Sequence, residues 1–329
     1  MSVFTHHGRT YELLEASRPY FLGRWYEKEI DGVPHTCTVT NGAQVFFLVE
    51  DAEAFRVTFT DQLHDHLPYY ACSIDGGEPV RRCVADGRVP LPDRGRHTVC
   101  LITDGMHQGL GKWYEEDGFA LQSITAEDGR LWGIRPTAPL VFFYGDSLTE
   151  GIYNLGYKPY GEGDSATHAF PWYCAEILGV TPYYIGYGAT GLIQTGWFHT
   201  LAKAIDSMTW QHPVEESPAA NQKPDLIVIC HGTNDMDYPV TQFHSALRGA
   251  LSLLYKRYPS VPVVFVIPPQ QVFATVIRRV MAEYPSGYVV ESADWPLTYS
   301  DGIHPDVAGA RVFGERVAEA IGRLSLLKR

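Results

Sequence analysis

The sequence predicts a chain in two parts: an antiparallel β-sandwich of the jelly-roll kind, then an α/β domain built on a doubly wound parallel sheet. Three observations lead there. Short apolar runs that alternate with polar residues fill the first third of the 329 residues. From about residue 140 the apolar runs become continuous and are separated by longer helical segments. The residues that follow those later runs are polar or glycine-rich, as they are where chemistry is done at the end of a sheet. At 45% hydrophobic and 19% charged the chain is globular, and it is long enough to bury a core without metal or disulfide staples.

From residue 23 to about 134 the chain alternates. FRVTFT sets Phe55, Val57 and Phe59 on one face and Arg56, Thr58 and Thr60 on the other, the period of two of a half-buried strand. AQVFFLVE, PYYACSIDGG, RRCVADGRVPL, RHTVCLITDG and GFALQSITAEDG continue in short β-like runs. Asp-Gly or Gly-Gly steps, which tolerate the left-handed backbone of tight turns, separate several of them. Many short strands at this spacing predict two antiparallel sheets, assigned here to residues 1–134.

RPTAP (135–139) reads as a linker, and residues 135–329 as the second domain. Here LVFFY, TPYYIG, DLIVICH, VPVVFVIP and GYVVES are strands buried on both faces. The segment 241–258 lines one helical face with Phe243, Leu247, Ala250, Leu251 and Leu254. The last helix repeats the pattern with Ala310, Phe313, Val317, Ile321 and Leu324. HPVEESPAANQKP (212–224) reads as a polar surface loop. Buried strands each followed by a helix predict a parallel sheet.

A formal net charge of −12 argues against nucleic acid and anionic lipid as partners. No run approaches the roughly 18 apolar residues of a membrane helix. The first twenty residues lack a basic segment followed by an apolar one, so no secretory signal is expected. Six scattered cysteines without C-x-x-C spacing read as reduced thiols, and a cytoplasmic location is the expectation. A homo-oligomer is compatible with the sequence, which does not specify one.

Ligands of a doubly wound sheet bind beyond the carboxyl ends of its strands. After the first apolar run stands Gly145-Asp146-Ser147; after the second, GYGATG (186–191). After the third comes His231-Gly232-Thr233-Asn234-Asp235, and near the end Asp301-Gly302-Ile303-His304-Pro305. These are the parts acyl transfer needs. A serine hydroxyl requires a base, and His304 can be one. A carboxylate must hold that imidazole, and Asp301, three residues earlier, can reach its Nδ1. The oxyanion needs preorganised donors, for which the backbone N–H groups of Ser147 and Gly188 and the amide of Asn234 are candidates.

GDSLTEG, the Gly188 turn, GTND and DGIHP resemble, in order, the four sequence blocks of the SGNH (GDSL) hydrolases. The resemblance spans about residues 140–310 and implies a flavodoxin-like three-layer α/β/α fold. It implies Ser147 as nucleophile, His304 as base, Asp301 as third member of the triad, and Ser147, Gly188 and Asn234 as oxyanion donors. The layout with an N-terminal sandwich carrying GRW, SIDGG and RHTVCLITDG further resembles carbohydrate esterase family 2, which implies a deacetylase of polysaccharides. The expected function is therefore a serine esterase without cofactor or metal, acting on small acyl esters, above all acetyl esters, of a small molecule or oligosaccharide. Two rivals stand beside it: a broader short-chain esterase, lysophospholipase or thioesterase on the same scaffold, and a non-catalytic sugar-binding protein.

Each motif also has a plainer reading. Ser147 with Glu150 three residues on fits a capping box, and Asp146 reads as structural. GYGATG satisfies a dinucleotide fingerprint, but the nearest acidic residue, Asp206, sits in a helical stretch. GLGK, followed by Trp113, fails as a phosphate loop. Asn234 and Asp235 suit turn caps, and His231 is given no role. HDH (64–66) lacks further ligands and reads as a solvated loop. Trp172, Tyr187 and Trp295 are candidates to stack on a sugar.

Overall fold

The computed structural model describes residues 2–15, 18–60 and 67–327; HDH (64–66) lies outside them. Among the described residues, the first part folds into two antiparallel sheets. The larger runs Ser2–His6, Arg9–Leu13, Arg130–Pro136, Gln44–Glu50, Arg96–Gly105, Tyr69–Ile74, Val80–Cys83, with Tyr20–Leu22 also paired to Gln44–Glu50. The smaller runs Arg88–Pro90, Ala54–Phe59, Phe119–Ala126, Val33–Thr38, Tyr26–Ile30. In Ala54–Phe59 the alternation holds: Phe55 and Val57 are buried and Arg56 is exposed.

The strand Gln44–Glu50 departs from it, being buried from Gln44 through Val49. Val45, Phe47 and Val49 face the core between the two sheets. Phe46 and Leu48, on the other face, join a core that continues into the α/β part through Phe142, Tyr183 and Ile185. An outer sheet face covered by another unit loses its polar residues, which is why AQVFFLVE is apolar on both sides.

Residues 137–139 separate Arg130–Pro136 from the first parallel strand, Leu140–Gly145. The parallel sheet has the spatial order Thr181–Gly186, Leu140–Gly145, Leu226–Cys230, Val263–Val266, Gly287–Val290. The first strand in sequence thus lies between the second and third, the topological switch point at which doubly wound sheets open a crevice. Phe170–Leu178 and Val307–Leu324 cover the face that carries Val141 and Phe143. Val240–Arg257 and Ala274–Met281 cover the face that carries Phe142 and Ile229. Val240–Arg257 buries Phe243, Leu247, Ala250, Leu251 and Leu254, the stripe read from the sequence. No helix among the described residues is long and apolar enough to cross a membrane.

Polar contacts tie the parts together. Arg24 donates to the carbonyls of Ser207, at 2.6 Å, and Ala204. Gln44 donates to the Pro182 carbonyl at 2.6 Å, and Arg9 pairs with Glu176 at 3.1 Å. The loop 212–224 is not simply a polar surface loop. Its charged Glu215 and Glu216 face outward, but Val214, Ser217 and Ala219 are buried, and the Ser217 hydroxyl donates to the Gly23 carbonyl at 2.9 Å. Small and apolar residues interspersed among the charges let one side of the loop pack against the sandwich.

Candidate active site

The strand Leu140–Gly145 ends in a cap, and the cap is Asp146: its carboxylate accepts the Leu148 N–H at 3.0 Å. Ser147 is therefore the first residue of the helix Ser147–Glu150 and not its cap, which leaves its hydroxyl uncommitted to the backbone. Ser147 Oγ lies 2.9 Å from His304 Nε2, and His304 Nδ1 lies 2.7 Å from Asp301 Oδ2. An ionised carboxylate only accepts, so Nδ1 carries the hydrogen and Nε2 is left to accept from the serine. Asp301 Oδ1 accepts the N–H groups of Ile303, at 3.0 Å, and His304, at 2.8 Å. Burial pushes the Asp301 carboxyl up, but these N–H groups and the imidazole outweigh it and hold the group below its usual range. The sequence separation of three residues is closed by a turn that makes Asp301 a ligand of both the ring and the backbone of His304.

The Gly188 N–H donates to Glu150 Oε2 at 2.6 Å. A Cβ at this position would lie 3.1 Å from the Gln108 side chain, a tight contact. Glu150 reaches with its other oxygen to the Lys112 ammonium, and the pair is completely buried. Asn234, in the turn after Leu226–Cys230, donates its amide to the Thr190 carbonyl at 2.9 Å. Asp235 accepts three successive backbone N–H groups, from Leu192, Ile193 and Gln194, at 2.7, 3.0 and 2.9 Å. A Cβ on Gly191 would overlap that carboxylate, so the glycines of GYGATG answer to Glu150, Gln108 and Asp235 rather than to a nucleotide. Asp206 ends the helix Leu201–Asp206 and faces Arg257. Buried His231 has its pKa pushed down to about 3 by desolvation and is neutral.

The GDSL-like Lipase/Acylhydrolase family matches the chain over residues 143–312, just over half its length. The chain belongs to the GDSL-like lipase/acylhydrolase family. It is a carboxylic ester hydrolase. No curated protein matches it in sequence. Among solved structures it is similar to a family two carbohydrate esterase from Clostridium thermocellum in complex with cellohexaose: 18% identity over 94% of this chain and 100% of that one, TM-score 0.71. A family two carbohydrate esterase from Cellvibrio japonicus is similar at 16% identity over 97% and 99%, TM-score 0.74. An acetyl xylan esterase from Butyrivibrio proteoclasticus is similar at 16% identity over 97% and 99%, TM-score 0.72. These likenesses extend through both parts of the chain and establish the fold.

In this acylhydrolase the aromatic residues named from sequence are packed into the protein's own apolar clusters. Tyr187 is buried, stacked on Phe198 at 3.9 Å and hydrogen-bonded to Thr40. Trp295 packs on Phe313. Trp172 lines a cavity of about 440 Å³ between the two parts, to which none of Ser147, Gly188, Asn234, Asp301 and His304 contributes. Tyr153 instead meets His304 in a T-shaped contact, ring centres 5.4 Å apart, with exposed Tyr157 beside it. Lys112 and Glu150 carry no local signal of their pairing: GLGK reads only as a failed phosphate loop, and Glu150 only as part of a capping box. A further cluster, His6, His7 and Asp75, could share an ion by spacing alone. Asp75 already accepts from His6, His97 and the Thr98 N–H, which accounts for the cluster without one.

Proposed function

We propose that the chain removes small acyl groups, acetyl above all, from carbohydrate esters. In this scheme Ser147 Oγ attacks the acyl carbonyl while His304 Nε2 takes its proton and then returns it to the leaving sugar hydroxyl. Asp301 holds the ring in the tautomer that leaves Nε2 free. Water, activated by the same nitrogen, releases the acid and restores the serine. The oxyanion falls to the Ser147 N–H, the Asn234 amide and the Gly188 N–H. Asn234 has a second amide hydrogen beyond the one given to Thr190. The single hydrogen of Gly188 reaches the acyl oxygen only as a three-centre bond shared with Glu150.

The observation that carries this reading is the unbroken run from Asp301 through His304 to Ser147, at 2.7 and 2.9 Å. The acetyl-carbohydrate reading is supported by likeness to an acetyl xylan esterase and to an esterase bound to cellohexaose. Tyr153 and Tyr157 add aromatic faces beside the imidazole on which a sugar ring can pack. All six cysteines are unpaired, which favours a reducing compartment and an imported acetylated oligosaccharide as substrate.

Acetate release from acetylated xylo-, manno- and gluco-oligosaccharides, with and without Ser147→Ala, tests the proposal. The variant is expected to lose essentially all turnover; undiminished release would remove Ser147 from the mechanism. Comparing acetyl, octanoyl and palmitoyl nitrophenyl esters tests the acyl group, and strong preference for the long chains would redirect the assignment to a lipid or thioester substrate.

A further inference from the structure

Glu150 closes the helix that Ser147 opens. Its Oε2 accepts the Gly188 N–H at 2.6 Å, while Oε1 meets the Lys112 ammonium and, at 3.5 Å, the Asn41 amide. Lys112 and Asn41 both come from the sandwich, so this wall of the site is assembled across the two parts of the chain. Neither Lys112 nor Glu150 has any exposed side-chain surface. A bare carboxylate in that position would set a negative charge beside the acyl oxygen as it, too, becomes negative, raising the barrier the donors are there to lower. Paired with Lys112, the wall is neutral. Burial pushes the Glu150 carboxyl up, and Lys112 and the Gly188 N–H pull against that rise.

We infer that Lys112 and Glu150 are positioning residues of the esterase: Glu150 fixes the Gly188 turn against the Ser147 helix, and Lys112 cancels the charge of Glu150 next to the oxyanion. The inference rests on the reading of Ser147 as nucleophile. It gives the sandwich a share in the chemical step that is separate from any binding of sugar. Removing one member of a buried pair strands the other, whereas removing both does not, so the two substitutions should not add.

Lys112→Met, Glu150→Gln and the double variant are compared with the wild-type chain for near-UV circular dichroism and for kcat and KM on p-nitrophenyl acetate. Lys112→Met, which bares the carboxylate, is expected to lose about tenfold or more in kcat with KM within about threefold; Glu150→Gln, which leaves no negative charge, is expected to keep kcat within about threefold, and the double variant to recover most of the Lys112→Met loss. The recovery follows because a glutamine beside a methionine leaves no bare charge and still accepts the Gly188 N–H. A folded Lys112→Met chain with wild-type kcat overturns the inference, as does a double variant no faster than the slower single one. Should Lys112→Met fail to fold, the double variant is compared with Glu150→Gln: kcat within about threefold upholds the inference, because no carboxylate remains for the lysine to cancel, and a loss of about tenfold or more overturns it. A fluorophosphonate probe separates this inference from the reading beneath it. Labelling of wild type that is lost in Ser147→Ala upholds the nucleophile whatever the Lys112 variants do; labelling that survives Ser147→Ala removes both.

Discussion

Asp146 takes the cap of the helix Ser147–Glu150, and the consequence falls on its neighbour: the serine hydroxyl, free of the backbone, meets His304 at 2.9 Å. In the proposed mechanism Asp301 then decides whether that contact is useful. Its carboxylate binds Nδ1 and two backbone N–H groups, so an asparagine there would keep the shape but could present its amide hydrogens to the ring and favour the wrong tautomer. Asp301→Asn is expected to lower kcat by about 1,000-fold or more with little change in KM, read from steady-state hydrolysis of p-nitrophenyl acetate. A loss below about tenfold would mean that the carboxylate does not orient the base. Ser147 was legible because it follows a continuous apolar stretch, and Asp301 and His304 because an Asp-x-x-His spacing is chemically unusual. The cap was not legible, since Asp146 and Ser147 are adjacent and both are favoured caps; only the backbone path chooses between them. Lys112 was not legible either. A lone lysine in a loop reads as solvated, and nothing local to GLGKW announces a carboxylate 38 residues away.

At the scale of elements, turns and hairpins are held by single carboxylates that gather several donors. Asp235 does this for the turn after Thr181–Gly186, and through Thr190 that turn also holds the amide of Asn234. Asp75 does it for the N-terminal hairpin, accepting from His6 at 2.9 Å, His97 at 2.7 Å and the Thr98 N–H at 2.9 Å. Burial pushes the Asp75 carboxyl up, but His97, the Thr98 N–H and His6 together bring it below its usual range. Burial pushes His97 down, and Asp75 and Asp93 more than reverse this, raising it. The signs then set a window. The lowered carboxyl stabilises the fold above about pH 4 and loses that effect as pH falls through its own value; the raised imidazole stabilises below about pH 6.5 and loses its effect as pH rises through its own. The Tm difference between wild type and His97→Asn should therefore be largest at about pH 5–6 and shrink as the pH is raised through 7 and beyond. A difference that stays constant from about pH 5 to 9 would show that the imidazole charge contributes nothing.

For the whole molecule, the sandwich and the parallel sheet share one core, and the sequence carried a trace of it in the doubly apolar strand Gln44–Glu50. Both layer types were legible from their different rhythms; their contact was not, because periodicity reports which faces are buried and not what buries them. Part of the contact is made at Thr181–Gly186, the edge strand of the parallel sheet, and at Tyr187 just after it. Gly42 packs on the Tyr184 ring, Thr40 bonds the Tyr187 hydroxyl at 3.0 Å, and Gln44 donates to Pro182. Exposed edge strands invite mispairing, and here the sandwich covers one. Residues 137–329 expressed alone would bare that edge together with Tyr183 and Ile185, and would strip Lys112 and Asn41 from the Glu150 carboxylate. Each Å² of apolar surface bared costs about 25 cal/mol, against the roughly 5–15 kcal/mol that keeps a domain folded. The isolated α/β part is therefore expected to lack a cooperative thermal transition and to show no measurable esterase activity. Calorimetry and p-nitrophenyl acetate hydrolysis on the purified fragment would decide this: a sharp transition with activity near that of the full chain would reduce the sandwich to an appendage of an autonomous enzyme.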